Sequence, residues 1–377
     1  MSDIVKKREA IVLPGIGGLV LSGARPILAV ILAFTVSAVM IVAQGANPFE
    51  AYWAMLRGSF GSVAALANTG VRAAPLLLGG LGVALGFKAG LLNVGIEGQI
   101  YVGGSAAAAV GIIPLPVPAW LHLTLAVAAG FLGGVVWGLI PAYLKAFRGI
   151  SEIVVTLMLN YVAIQFCSLL VHEPSPMAEK GAFYPQSMLV LPSAQLPILI
   201  RGTSLHLGII IGLVAALMIY FVLQYTPFGM RTRMTGQNPE AARYAGVNVR
   251  KQIVIVLLLS CGLGGLAGTG EVLGLKLRLY DYFSGGLGYD AIAVALMANS
   301  NPIGVIFSAL FFGALRAGAG KMETAVGIKS PIVQVIQALA VLFVIMIGFA
   351  EYARTTRREK QEELKQEVTV DGPELNK

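Results

Sequence analysis

Charge is scarce in this sequence. Of its 377 residues only 12% are Asp, Glu, Lys or Arg, against roughly 25% in an ordinary soluble domain. That excludes a water-soluble globular protein and, with 56% hydrophobic residues, a disordered one. There are two cysteines, Cys167 and Cys261. Both sit in apolar runs, which argues against a disulfide framework or a thiolate metal site. The three histidines, His122, His172 and His206, show no ligand spacing and are expected at interfacial positions. No Gly-x-x-x-x-Gly-Lys-Ser/Thr run occurs, so no P-loop binds ATP here. No apolar run carries the dense acidic or basic set of an ion-coupled carrier, and no His/Asp/Ser constellation suggests a membrane-embedded enzyme. The net charge of +8 belongs to loops flanking apolar runs and is no nucleic-acid signal.

Long apolar runs are abundant. Mean hydropathy is +0.79, and several runs approach or exceed the roughly 18 residues that cross a bilayer. The fold class expected is all-α: a polytopic membrane protein of about ten transmembrane helices, some short or broken. The spans are placed near 26–43, 73–87, 91–112, 119–144, 153–171, 205–223, 253–273, 289–299, 303–317 and 331–349. Residues 44–72 are too polar to cross, but Tyr52, Trp53, Met55 and Leu56 suit an amphipathic interfacial helix. The short second and eighth spans are candidates for re-entrant helices. Residues 1–25 form a lead, 26–350 the membrane domain and 351–377 a charged tail. The proline-rich stretch 172–204 is the longest polar insert. Lys and Arg are about twice as frequent on the N-terminal side as on the other, which makes both termini and loop 225–252 cytoplasmic and insert 172–204 extracytoplasmic.

Loop 225–252 is the most polar internal run, with Arg231, Arg233, Arg243, Arg250 and Lys251 against Glu240 alone. Pro239 followed by Glu240 reads as a helix start, and Gly246 as its stop. The short helix between them is either a docking element or part of a solvated loop whose arginines set orientation.

Polar residues recur inside the apolar runs at helical spacing. Asn93, Glu97, Tyr101 and Ser105 are four apart, as are Glu152, Thr156 and Asn160. Tyr289 and Asp290 open the eighth span, and Asn299 closes it. Such groups line a path for a polar uncharged solute, or else hydrogen-bond between helices. Asn93, Thr156, Asn160, Tyr289 and Asn299 are the path candidates. Glu97 and Glu152 read more simply as caps or interface groups. Gly103, Gly104, Gly264 and Gly268 suit close helix packing.

Four segments carry a family resemblance: GLGVALGFKAGLLNVGIEGQIYVGG (80–104), GISEIVVTLMLNYVA (149–163), GMRTRMTGQNPEAARYAGVN (229–248) and GLGYDAIAVALMANSNPIG (286–304). With them the sequence resembles the inner-membrane permease subunits of bacterial ABC importers, in the simple-sugar and nucleoside branch with a basic-membrane-protein type receptor. The match spans about 47–349. The resemblance implies a permease that is not itself an enzyme and binds no cofactor, with ATP used by a partner. The implied partners are a cytoplasmic ATPase with two fused nucleotide-binding domains, a second permease and an extracytoplasmic solute-binding lipoprotein. The implied solute is a nucleoside or simple sugar. Glu240 to Gly246 is similar to the coupling loop of such permeases, which assigns ATPase coupling to Gly236, Asn238, Glu240, Ala241, Arg243 and Gly246. A self-sufficient channel for a small neutral solute is the competing reading, and it leaves that loop without a purpose.

Overall fold

A computed structural model describes residues 16–327 and 331–347, with only the backbone described for 16–27. The charged tail 351–377 and the first part of the lead lie outside the described residues. The chain is all-α and polytopic. Six helices are long and apolar enough to cross a membrane, or seven if Leu28–Ala43 and Pro48–Phe60 are counted together. The chain divides into two units, one of residues 44–333 and one of both flanks. Of the flanking unit, the described parts are helix α1, Ile16–Ala43, and most of a helix at the other end, Pro331–Ile347.

In the main unit, α2 is Pro48–Phe60, capped by the Asn47 side chain and exposing Phe49 and Trp53. A helix was expected there; of its four candidate interface residues Trp53 and Leu56 are exposed and Met55 is buried. The next helix, α3, runs Val63–Lys88, capped by Ser62. It is long and apolar enough for a full crossing, where a short span was expected from residue 73. Its polar first turns are accommodated because the Thr69 hydroxyl donates to Ser59 O at 2.9 Å, so the hydroxyl meets no lipid. α4 is Ile96–Gly111, α5 Ala119–Arg148 and α6 Glu152–Val171. α7, Gly208–Tyr225, follows the insert.

Loop 225–252 holds two helices where one was expected. α8 is Pro227–Gln237, with Pro227 at its start and Thr226 as cap, and α9 is Pro239–Tyr244. α10, Val249–Gly270, continues as a π-helical stretch Glu271–Lys276. α11, Leu287–Met297, is short, and α12, Pro302–Val326, follows after a tight turn. The helix Pro331–Ile347 is α13.

Of the helices long enough to cross, α3 and α10 are the most buried, and each packs on the other. Their partners correspond: α3 packs on α11 and α12 as α10 packs on α4 and α5. In chain order α3, α4, α5 and α10, α11, α12 are each a long, a short and a long helix, and the first helix of each triplet packs on the other triplet's pair, the pattern of an internal repeat. Glycine makes the crossings close. A Cβ on Gly103 would stand 2.2 Å from Gly265 Cα, and one on Gly134 2.3 Å from Cys261 O.

Insert 172–204 is not a free loop. Ser187 N donates to Leu279 O at 2.8 Å, Val190 N to Leu277 O at 2.9 Å and Leu196 N to Leu273 O at 2.9 Å. Glu179 pairs with Arg278. His122 and His206 are buried within the protein. His122 bridges Ser193 Oγ at 2.8 Å and Val110 O at 3.0 Å, which ties the insert to the end of α4.

Candidate functional site: two short helices that begin inside the membrane

The loop between α3 and α4 climbs before it becomes helical. Ile96 packs at Gly79 and Gly82 of α3, roughly 9–14 Å from the Lys88 end at 1.5 Å per residue. Gly98 packs against Asn160, eight residues into α6 and so roughly 12 Å from its start. Both place the first turn of α4 about a third to a half of the way through a ~30 Å hydrocarbon core. Asn93 therefore precedes α4 and does not share the helical stripe of Glu97 and Tyr101.

The N-terminus of α11 lies beside that of α4. The Glu97 carboxylate accepts from Gly286 N at 3.1 Å and from Gly288 N at 2.6 Å. Gly288 is forced by this approach, since a Cβ there would stand 2.2 Å from Glu97 N. Free N–H groups at a helix start attract a carboxylate, so Glu97 is the cap its sequence position suggested, but of a different helix. The segment reaching α11 from the insert end is non-helical over 281–286. Tyr101 packs edge-on against its Phe283 at 4.9 Å.

α6 closes the other side. Asn160 Oδ1 accepts from Gly98 N at 2.8 Å, its amide donates to Val94 O at 3.0 Å, and Tyr289 lies near its side chain. Thr156 packs at Gly95 and donates to Glu152 O at 2.7 Å. Glu152 accepts from Leu92 N at 3.3 Å and pairs with Lys145 at 2.7 Å. Tyr289 is 42% exposed.

Thr156, Asn160 and Tyr289 thus come together, with Glu97 beside them. Asn93 and Asn299 do not join them. Asn93 is wholly buried in a closed knot, donating to Ser260 Oγ at 2.9 Å and Gln99 Oε1 at 3.1 Å and accepting from Gly95 N and Gln99. Asn299 stands ten residues beyond Tyr289, roughly 15 Å along α11. It has φ +48° in the turn to α12, a conformation asparagine tolerates better than most. A residue the sequence reading passed over is Arg316, which pairs with Asp290 at 2.6 Å. Twenty-six residues separate them, so no local spacing could have joined them.

At the α9 end, Asn238 Oδ1 accepts from Glu240 N and Ala241 N, both at 3.0 Å. Gly246 follows with φ +82°, which a residue with a Cβ adopts only under strain. Glu240, Ala241, Arg243 and Tyr244 are exposed, Tyr244 at 94%, while Ala242 is fully buried. α9 is held from within and presents its outer face. Asn238→Ala removes the cap and is expected to cost about 1 kcal/mol locally. Its expected readout is a severalfold loss of uptake at unchanged membrane abundance, measured by transport normalised to immunoblot.

Gly236 of α8 joins this end to the interior. A Cβ there would stand 2.4 Å from Lys88 O and 2.9 Å from Gly90 N. α8 is also tied to α7 by Arg233 donating to Leu223 O, and to α10 by Gln252 donating to Thr232 Oγ1 at 2.7 Å.

Six or seven helices long and apolar enough to cross a membrane, two short helices that meet at their starts and an exposed capped helix before α10 suit a membrane permease. A family model described as the permease component of branched-chain amino acid transport systems matches residues 65–350, and the chain belongs to that family. It is 35% identical over 324 residues to the guanosine ABC transporter permease protein of Bacillus subtilis, covering 85% of this chain and 92% of that one. It is 34% identical over 334 residues to the glucose ABC transporter permease protein of Haloferax volcanii, covering 86% and 87%. It is 29% identical over 334 residues to the nucleoside ABC transporter permease protein of Lactococcus lactis, covering 86% and 90%. No solved structure matches. The chain is a permease subunit of a multi-subunit ABC importer, without an ATPase domain of its own.

Proposed function

We propose that this permease forms part of the path for a nucleoside or simple sugar, imported at the expense of ATP hydrolysed by a separate subunit. The solute class rests on the guanosine, nucleoside and glucose permeases it is similar to. The path is assigned to the junction of α4, α6 and α11, with Thr156, Asn160 and Tyr289 at its side and Asn299 toward the α9 end. Asn93 is given a holding role, since its hydrogen bonds are used within the chain. The ten apolar segments become ten crossings, with both termini and α9 on the cytoplasmic side of the cell (inner) membrane, in keeping with the excess of Lys and Arg there. An ATPase with two fused nucleotide-binding domains docks on α9, a second permease completes the path, and a lipoprotein receptor delivers solute to the joined inserts.

The observation that carries this reading is the contact of Gly236 with the Lys88–Gly90 backbone. Through it, a push on α9 passes to α8, then to the loop that the Asn93 knot holds, and so to the start of α4. There Glu97 holds α11. Coupling of this kind needs elements with two arrangements that both sites bias, and two helices meeting end to end supply one. Glu240→Lys and Gly246→Pro are expected to abolish uptake of labelled guanosine or glucose while the chain inserts normally. Loss of the co-purifying ATPase in a mild-detergent pull-down accompanies it. Full uptake by a well-expressed Gly246→Pro variant would remove α9 from the mechanism.

A further inference from the structure

Asp290 and Arg316 form an ion pair of 2.6 Å, with side chains 25% and 20% exposed. Asp290 lies in the first turn of α11, at the depth argued above for Glu97. Ionised groups at that depth are costly against lipid and are found facing water or protein. Two neighbours repeat the message. Gly285 is exposed in the non-helical stretch before α11, and irregular backbone is tolerated at membrane depth only against protein or a water-filled cavity. Tyr289 exposes its ring beside it. Consecutive residues at a helix start point roughly 100° apart: Tyr289 reaches toward Asn160 of α6, and Asp290 toward Arg316 of α12. Tyr289 and Asp290 are adjacent in the first turn of α11, next to the exposed Gly285.

Resting on the solute path proposed above, we infer that Asp290 and Arg316 form a recognition subsite for the hydroxyl groups of a neutral solute, with Tyr289 and Asn160 facing the remainder of the molecule. The pair has no net charge, and its guanidinium carries five N–H donors in a rigid fork. A hydroxyl can donate to the carboxylate and accept from the guanidinium, so adjacent hydroxyls satisfy both partners without separating them. An anion or a cation meets one favourable partner and one repulsive one. The Tyr289 ring offers an apolar face for a planar base. Ribose in a nucleoside and a free hexose share the hydroxyl chemistry. They differ in what reaches Tyr289.

The test uses the complete transporter in cells, with uptake of labelled guanosine and of labelled glucose. Competition by 2′,3′-dideoxyguanosine and by unlabelled guanosine measures hydroxyl recognition. The variant is the double substitution Asp290→Asn with Arg316→Gln, which leaves no lone charge in the membrane. Tyr289→Leu is made in parallel. In the native transporter guanosine is expected to compete at least tenfold better than its dideoxy analogue. The double variant is expected to bring that ratio close to one while the protein remains inserted. Tyr289→Leu is expected to weaken both competitors alike and leave the ratio. Glucose uptake sensitive to the double variant and indifferent to Tyr289→Leu marks a free sugar as the occupant. A native ratio that persists in the double variant overturns the subsite and leaves the solute reading standing. If the native transporter takes up neither probe, the solute reading and the subsite fall together.

Discussion

Alanine at Gly268 is expected to cost the permease its fold. A Cβ there would lie 2.0 Å from Ile100 O and 2.9 Å from Gly104 N, both backbone atoms of α4 that cannot swing aside. In the same crossing a Cβ on Gly103 would stand 2.2 Å from Gly265 Cα, and α5 enters it through Gly130, whose O would stand 2.3 Å from a Cβ on Gly265. Three helices thus meet backbone to backbone. In a bilayer, dispersion contacts of this kind drive helix association, because lipid tails are as apolar as the side chains. Overpacking usually costs about 1–3 kcal/mol, and with three backbones to separate, the cost is expected at or above the top of that range. The detergent-solubilised Gly268→Ala protein should melt well below the native one or fail to accumulate. Gly320→Ala is the control, since nothing lies within 4 Å of its added carbon, and it should leave melting unchanged. Equal melting for the two variants would contradict the close crossing.

The second large effect falls on transport and not on insertion. Glu97→Ala is expected to lower uptake at least tenfold while membrane abundance stays within twofold. It strips the acceptor from Gly286 N and Gly288 N, leaving two donors at membrane depth. Each unsatisfied buried donor costs about 1–3 kcal/mol, enough to unseat the start of α11 but small beside the packing of the helices around it. Glu97→Gln should fall between, because its amide oxygen can accept one N–H while its NH₂ opposes the other. The measurement is initial-rate uptake of labelled guanosine or glucose, normalised to the amount of permease. Native rates for Glu97→Ala would mean that the cap does not position α11 for transport.

The elements that sequence reading located well are those with local signals. Asn238, Pro239 and Gly246 are a cap, a first-turn proline and a positive-φ stop within nine residues, and α9 follows from them. The helix α2 falls where Tyr52, Trp53, Met55 and Leu56 suggested one, with Trp53 and Leu56 exposed and Met55 buried. Three features were misread for physical reasons. Residues 63–72 look too polar to cross, yet Thr69 is satisfied by Ser59 across the turn between α2 and α3. The stretch Pro227–Gln237 lacks an apolar face and reads as loop, yet Arg233 and Thr232 find partners on α7 and α10. Asn93 shares i+4 spacing with Glu97, but the helix starts only at Ile96 because the preceding loop is tied by the knot with Gln99 and Ser260. Spacing assumes a helix that three-dimensional contacts interrupt.

The sequence alone determined the apolar surroundings, the helical class and the position of the exposed α9, because hydropathy and helix-end signals are properties of short stretches. Only the tertiary structure decided that α4 and α11 begin beside each other within the membrane, that Glu97 caps a helix 190 residues away in the chain, and that Asp290 has Arg316 for a partner. Those are long-range pairings, set by which glycine-lined backbones can approach closely enough to bring buried polar groups within hydrogen-bonding distance, and no local spacing encodes them.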